Sequence, residues 1–308
     1  MISDELISFV VQGPIIKKGE NTTKEVLKSI KLHFPKSEIV LSTWENEDIN
    51  DLLYDKLVLS ELPNSIVLFT GHQCNVNRQI VSAVRGIEIS TKKYVVKTRT
   101  DTLFENNNLL EKYKDNRTSS AFKQYVLTID LFTRDSYKAS QESFYDGFLY
   151  HPSDIFLIGL KIDILRLFSC KLAKVEGMFN RRGITSLVPE QYIWISFLNR
   201  KKKVNTFRKS IVAYNPKPCY KSERLLFENF KIFSCKSIGI KLPKRLINGW
   251  LSDCIITEEF QQKIDKKNEL QKKLLYAKRA IYACYIYNLL YRKILKIKSY
   301  KLKEEIKN

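Results

Sequence analysis

The sequence predicts an α/β fold: a mostly parallel sheet flanked by helices, followed by a helical C-terminal tail. Three observations carry this. Short runs of β-branched and aromatic residues alternate with stretches of helical periodicity through the first hundred residues. Each run leads into polar residues, as strands do when they deliver a ligand-binding edge. From about Thr257 onward the pattern changes to lysine-rich helix.

The elements follow in order. Residues 7–11 form a first buried strand, stopped by Gln12-Gly13-Pro14. Thr22 or Thr23 caps a helix whose Val26, Leu27, Ile30 and Phe34 recur at helical spacing, and Pro35 ends it. Residues 38–41 make a second strand leading into Ser42-Thr43-Trp44-Glu45, and residues 66–69 a third, ending at Gly71-His72-Gln73. The next helix carries Ile80, Val84, Ile87 and Ile89 on one face, and Tyr94, Val95 and Val96 begin a fourth strand. Further on, residues 125–132 and 155–159 read as strands and 163–168 as a helix. Pro189-Glu190 opens another helix, because proline in the first turn beside an acid suits a helix N-terminus. Residues 201–204 and 211–214 read as strands, and 215–220, with two prolines, as a loop. The chain divides into an α/β domain at 1–256 and a basic amphipathic tail at 257–308, with Leu274, Ile281, Tyr285 and Tyr291 near one face.

Composition bounds the function. With 44% hydrophobic residues, 17 Phe and 16 Tyr, the chain has ample material for a core, which excludes a disordered protein. A net charge of +20 favours polyanionic partners: nucleic acid, an anionic membrane, a nucleotide or an acidic glycan. The six cysteines form no C-x-x-C pair, which argues against zinc and for reduced thiols. The N-terminal residues lack the basic stretch of a signal peptide, and no run approaches the roughly 20 apolar residues needed to span a bilayer. The expected location is therefore cytoplasmic. No G-x-G-x-x-G or Walker sequence is present, so neither dinucleotide nor P-loop chemistry is supported.

The strand ends supply the candidate site. Alternation puts Val95, Lys97, Arg99 and Asp101 on one side of the fourth strand, where the sheet gives way to a loop. Gln12, Gly13 and Thr43 lie at the ends of the first two strands, and Asn77 and Arg78 at the head of the helix before the fourth. Converging on one edge, these residues suit a nucleotide. Gln12 and Thr43 would meet base or ribose, with Gly13 at the same donor-binding edge, while Asn77, Arg78, Lys97, Arg99 and Asp101 would surround a diphosphate. His72 and His151 have no matching Cys, Ser or ligand set and read as structural.

These residues carry a resemblance. Asn77-Arg78, Ala83, Gly86, Ser90, Tyr94 and Asp101 follow a rhythm loosely seen in family-2-type glycosyltransferases of the GT-A fold. More specifically, QGPI at 12–15, FPKSEIVLSTWE at 34–45, NVNRQIVSAVRGI at 75–87, VVKTRTD at 95–101 and HPSDIFLIGLK at 151–161 resemble the WavE family. That family is linked to lipopolysaccharide and surface polysaccharide synthesis, and the likeness spans about residues 5–200. It implies a GT-A-like enzyme that moves a sugar from a nucleotide-diphospho-sugar to a growing lipopolysaccharide or capsular glycan. It also implies an Asp-x-Asp pair holding Mg²⁺ or Mn²⁺. Here that place reads Arg99-Thr100-Asp101, with a single acid. Two routes stay open: a hydrated metal on Asp101, or direct neutralisation of the diphosphate by Arg99 and Lys97. The resemblance further places an acceptor-activating base at Glu190, with Asp154 next and Asp146 behind it. Gln191 stands where the family's second acid would be.

Two other classes compete. A basic nucleic-acid binder would explain the charge, but the chain lacks a helix-turn-helix, RNP or zinc pattern. A non-catalytic scaffold would explain the missing second acid. The tail suits contact with an anionic membrane surface, on its inner face, or packing on a partner.

Overall fold

The computed structural model describes residues 2–67, 73–113, 119–136, 149–174, 178, 187–204, 216–247, 255–282 and 285. Its main sheet contains β1 (Ile7–Gln12), β2 (Glu38–Trp44), β3 (Lys56–Ser60), β6 (Tyr94–Arg99), β8 (Val126–Ile129), β9 (Leu157–Leu160) and β10 (Phe230–Phe233). Two short ribbons complete the strands: β4 (Ile66–Val67) with β5 (Gln73–Cys74), and β7 (Leu103–Phe104) with β11 (Ile240–Lys241). The main sheet runs β3-β2-β1-β6-β9-β8-β10. Neighbours are parallel except at β9, which is antiparallel to both β6 and β8.

Helices cover both faces because the strands are apolar on both. Ile7, Phe9 and Val11 of β1 join one core with Val26, Leu27 and Ile30 of α1 (Thr23–His33). Val10 points the other way, into a core with Ile80, Ala83 and Ile87 of α2 (Val76–Ile89) and Ile164, Leu167 and Phe168 of α4 (Lys161–Phe168). The short α3 (Leu109–Lys112) buries Leu109 in the first core. In the second, Phe197 of α5 (Pro189–Arg200) stacks on Phe122 and Trp194 tilts against the same ring, in one core with Leu225 and Leu226 of α6 (Pro216–Phe227). Thr22 starts α1 with a capping box: Glu25 accepts from the Thr22 N–H at 2.8 Å, and the Thr22 hydroxyl accepts from the Glu25 N–H at 3.4 Å.

Several expected elements differ. The third strand of the sheet is β3, which the sequence pattern did not single out. The segment at 66 pairs instead with Gln73–Cys74 in a separate ribbon, and 68–72 lie outside the described residues. KLVLS is half polar and carries an edge strand, so its hydrophobic pattern is weak. β2 runs on through Trp44, three residues past the expected end. The strand expected at 125–132 covers only Val126–Ile129, and 201–204 form no strand. Residues 216–220, expected as loop, open α6: a proline at the first helical position costs little, because its missing N–H would be unpaired there. The strand expected at 211–214 lies outside the described residues.

The C-terminal segment forms α8 (Glu258–Asp265), after α7 (Lys244–Ile247), and then a helix at 269–282. Ile264, Tyr276 and Ala280 are buried in the same core as α5 and α6. Arg279 reaches Asp135 at 2.8 Å and Glu223 at 2.9 Å, and its guanidinium lies 4.5 Å from the Phe260 ring centre. The expected apolar face therefore points outward. Leu274, Ile281 and Tyr285 are each more than 60% exposed, while Tyr276 and Ala280 pack inward.

Candidate functional site

Because β1, β2 and β6 are parallel, their C-terminal ends share one edge, and there a cleft of about 920 Å³ opens. Register puts Gln12 beside both Ser42 and Arg99. Gln12 lines the cleft, and its side-chain carbonyl accepts from the Ser82 hydroxyl of α2. Gly13 follows with φ of +124°, a conformation L side chains rarely adopt, and its N–H donates to Ser42 O at 3.1 Å. The Thr100 hydroxyl closes the turn on Pro14 O at 2.7 Å. Trp44 ends β2 in the same cleft, and Asn75, Arg78 and Gln79 line it from the head of α2. Asp154, Ile155, Pro189 and Glu190 line it too, as do Lys18, Glu20 and Arg245.

Part of the lining is a guanidinium pair on a buried carboxylate. Arg99 donates to Asp101 twice, Nε to Oδ1 at 2.9 Å and Nη2 to Oδ2 at 3.0 Å, and Arg245 of α7 donates to Oδ2 as well. Asp101 is 1% exposed. Burial works to raise its pKa, but Arg99 and Arg245 outweigh it and hold the carboxyl below its usual range.

Two further carboxyls line the cleft, Asp154 and Glu190, and each is pushed up. Burial comes first for both, and the Glu190 charge adds to it for Asp154, whose pKa reaches about 7. Gln79 Nε2 donates to Asp154 Oδ2 at 2.6 Å. Lys97 lies fully buried beneath the cleft, with Nζ donating to the Asp154 main-chain carbonyl and 5.3 Å from the Phe168 ring centre. Burial lowers its pKa to about 8 against the favourable field of Asp154. Glu190 sits in the first turn of α5, where backbone N–H groups favour its charged form.

The structure thus brings Gln12, Gly13, Arg78, Arg99, Asp101, Asp154 and Glu190 to one cleft, with Lys97 just below it. It leaves two expected residues outside. Thr43 is fully buried within the extended β2, so the strand end that reaches the cleft is Trp44. The Asn77 amide clamps the Ala173 backbone, donating to O at 3.0 Å and accepting from N at 2.7 Å, and does not line the cleft. Arg78 is the neighbour that turns inward, with Nε on Pro63 O at 3.0 Å. Gln191 is buried, its amide donating to Leu149 O at 2.8 Å. His151 is buried and held neutral, burial and Arg134 lowering its pKa to about 4, while His72 and Asp146 lie outside the described residues. Arg245, Gln79 and Trp44 join the site without having been expected there.

The residues around Asp101 do not fit a divalent cation. Both carboxylate oxygens accept guanidinium N–H groups, and the two arginines add like charge where a cation would sit. Among the described residues, no group of three or more His, Cys, Asp or Glu side chains gathers as a metal site.

A helix-flanked, mostly parallel sheet, with a cleft lined by arginines and carboxylates at its C-terminal edge, defines an α/β protein. The chain belongs to the WavE lipopolysaccharide synthesis family, whose description matches residues 7–299, well past the expected limit near residue 200 and into the C-terminal helices. No curated protein matches the chain. Among solved structures, it is similar to a Drosophila β-1,4-galactosyltransferase 7 mutant in complex with manganese, UDP-Gal and xylobiose. That similarity is 12% identity over 52% of this chain and 51% of that one, with a TM-score of 0.27, so the chain spans about half the length of that protein.

Proposed function

We propose that the chain is a nucleotide-sugar-dependent glycosyltransferase that adds a sugar to a growing lipopolysaccharide or surface glycan. The observation that carries this is that one cleft holds both a guanidinium pair, Arg99 and Arg245, and two carboxyls of raised pKa, Asp154 and Glu190. Membership of the WavE family supports the same reading. Sugar transfer breaks the bond between the anomeric carbon and the diphosphate, and an acceptor hydroxyl must lose its proton as it attacks. Arg99 and Arg245 would bind the leaving diphosphate. Glu190, half-buried in the cleft, would take the proton, with Asp154 holding the pair's shared charge. An acid whose pKa is raised suits this role, and turnover should rise with pH as Glu190 loses its proton.

The acceptor side extends to the membrane in this proposal. No described helix is long and apolar enough to cross a bilayer. The helix at 269–282 instead presents exposed Leu270, Leu274, Ile281 and Tyr282, with Lys273 and Lys278 beside them, to the surface of an anionic membrane carrying a lipid-linked glycan.

The test is a thermal-shift panel of UDP-, GDP- and CMP-sugars, followed by transfer or hydrolysis assays. One nucleotide sugar should raise the melting temperature, and Glu190→Gln should keep that shift while losing turnover. Salt-sensitive binding to arbitrary DNA, with no nucleotide-sugar effect, would replace this reading with nucleic-acid binding.

A further inference from the structure

Resting on the nucleotide-diphosphate reading above, we infer that this site grips its diphosphate without a divalent cation, through Arg99 and Arg245, which Asp101 holds as a pair. The acid at the end of β6 is then a positioning residue for two guanidiniums. Three independent features of the fold support this.

The first is the bonding of Asp101. It is almost fully buried and accepts a two-pronged pair from Arg99 and a further N–H from Arg245. Mg²⁺ needs near-octahedral oxygen ligands at about 2.0–2.1 Å. To supply one, Asp101 would have to release Arg99, which is half-buried, and Arg245, and the ion would then face both.

The second is how Arg245 arrives. It is 144 residues from Asp101 in sequence, and dedicated structure closes that gap. β7, just after Asp101, pairs with β11, which leads through Pro243 into α7. Asn21, in the left-handed region at φ of 56°, donates from its amide to Asp101 O at 3.1 Å and to Lys241 O at 3.0 Å. That one amide ties the β6 exit to the β11 exit. Lys244 N–H is fixed in turn by Glu20 at 2.8 Å. Arg245 is thus delivered by a ribbon and two side-chain struts.

The third is charge and reach. Two guanidiniums on one carboxylate leave a net positive charge, and both arginines line the cleft, with the Arg245 side chain 59% exposed. Their N–H groups not used on Asp101 remain for phosphate oxygens, which guanidinium forks match in pairs. In the transfer step, the carbon–oxygen bond to the diphosphate breaks and its electron pair leaves on the diphosphate oxygen, beside these two cations. The acceptor oxygen forms the new bond, and its proton passes to the Asp154 and Glu190 pair.

The experiment uses the full chain and UDP, GDP and CDP as probes, in EDTA and in Mn²⁺ or Mg²⁺, read by thermal shift and calorimetry. One nucleoside diphosphate should bind equally well in EDTA and in metal, and nucleotide-sugar turnover should survive EDTA. Arg245→Ala should weaken that binding about tenfold or more, the scale of a charged hydrogen bond. Arg245→Lys, which keeps the charge but loses the fork, should recover only part of it. Since Arg245 is largely exposed, both variants should melt near the wild-type temperature without ligand. Binding that appears only with metal, or that ignores Arg245→Ala, overturns the inference and leaves the glycosyltransferase reading standing. No binding of any probe, with or without metal, overturns both.

Discussion

Replacing Asp154 with asparagine isolates the cost of burying a second carboxylate in the cleft. Its pKa moves from 3.8 to about 7, through burial first and the Glu190 charge second, with Lys97 and Gln79 opposing. A raised acid makes the folded state the tighter binder of protons. The stability this contributes is complete below about pH 4 and lost as pH climbs through about 7. A shift of about three units, at roughly 1.4 kcal/mol each, sets an upper limit of about 4 kcal/mol. Relaxation and water penetration around a buried carboxylate discount this limit, so the substitution should recover about 2 kcal/mol of it. The amide can still accept from Gln79, and the Lys97 bond goes to the main-chain carbonyl, which the substitution leaves in place. Asp154→Asn should therefore be more stable than wild type by about 2 kcal/mol at pH 8, with the advantage gone by pH 4. Urea denaturation at the two pH values reads this directly. If the variant were less stable at pH 8 than at pH 4, relative to wild type, Asp154 would be a stabilising partner of Lys97, and its role as part of a proton acceptor would be refuted.

Two further outcomes follow from packing and from the surface. Gly86→Ala would place a Cβ 2.5 Å from Val10 Cγ1 and 3.0 Å from Ser42 Cβ, so it should cost about 1–3 kcal/mol despite alanine's better helix propensity. An unchanged or raised urea midpoint would show that α2 does not need this close seat on β1 and β2. For the membrane proposal, Leu274→Glu with Ile281→Glu should abolish sedimentation with anionic vesicles while leaving stability unchanged, because both side chains are more than 60% exposed. Persistent sedimentation would reject that face. Cutting the chain at Thr257 is the wrong test, since it also removes Tyr276, Ala280 and the Arg279 ion pairs from the core.

What was legible in the sequence is what local physics decides. Apolar runs at 7–11 and 94–96 could hardly be anything but buried strands, and their polar exits alone placed Gln12, Arg99 and Asp101 on one edge. Proline beside Glu190 marked the start of α5 correctly, and with it the cleft lining that Glu190 shares with Asp154. Two of the site misses share a cause: each turns on a single residue of phase. Thr43 and Trp44 are neighbours on opposite faces of β2, so three more residues of strand exchange one for the other in the cleft. Asn77 and Arg78 differ by about 100° around α2, and only Arg78 points inward. The C-terminal helix shows the same ambiguity, because Leu274 and Ile281 describe an apolar stripe as well as Tyr276 and Ala280 do. Anchoring by Arg279 on Asp135 and Glu223 decides which stripe is buried. Arg245 was beyond reach for another reason. Nothing in KLPKRLI distinguishes that arginine from other surface cations, and its meaning comes only from the pairing of β11 with β7 and from Asn21. A lone acid after β6 looks like a metal site missing its partner, until the distant guanidinium is in place beside Arg99. In the inference proposed above, the same acid is the hub of an anion clamp, its negative charge letting two cations stand close enough to share one ligand.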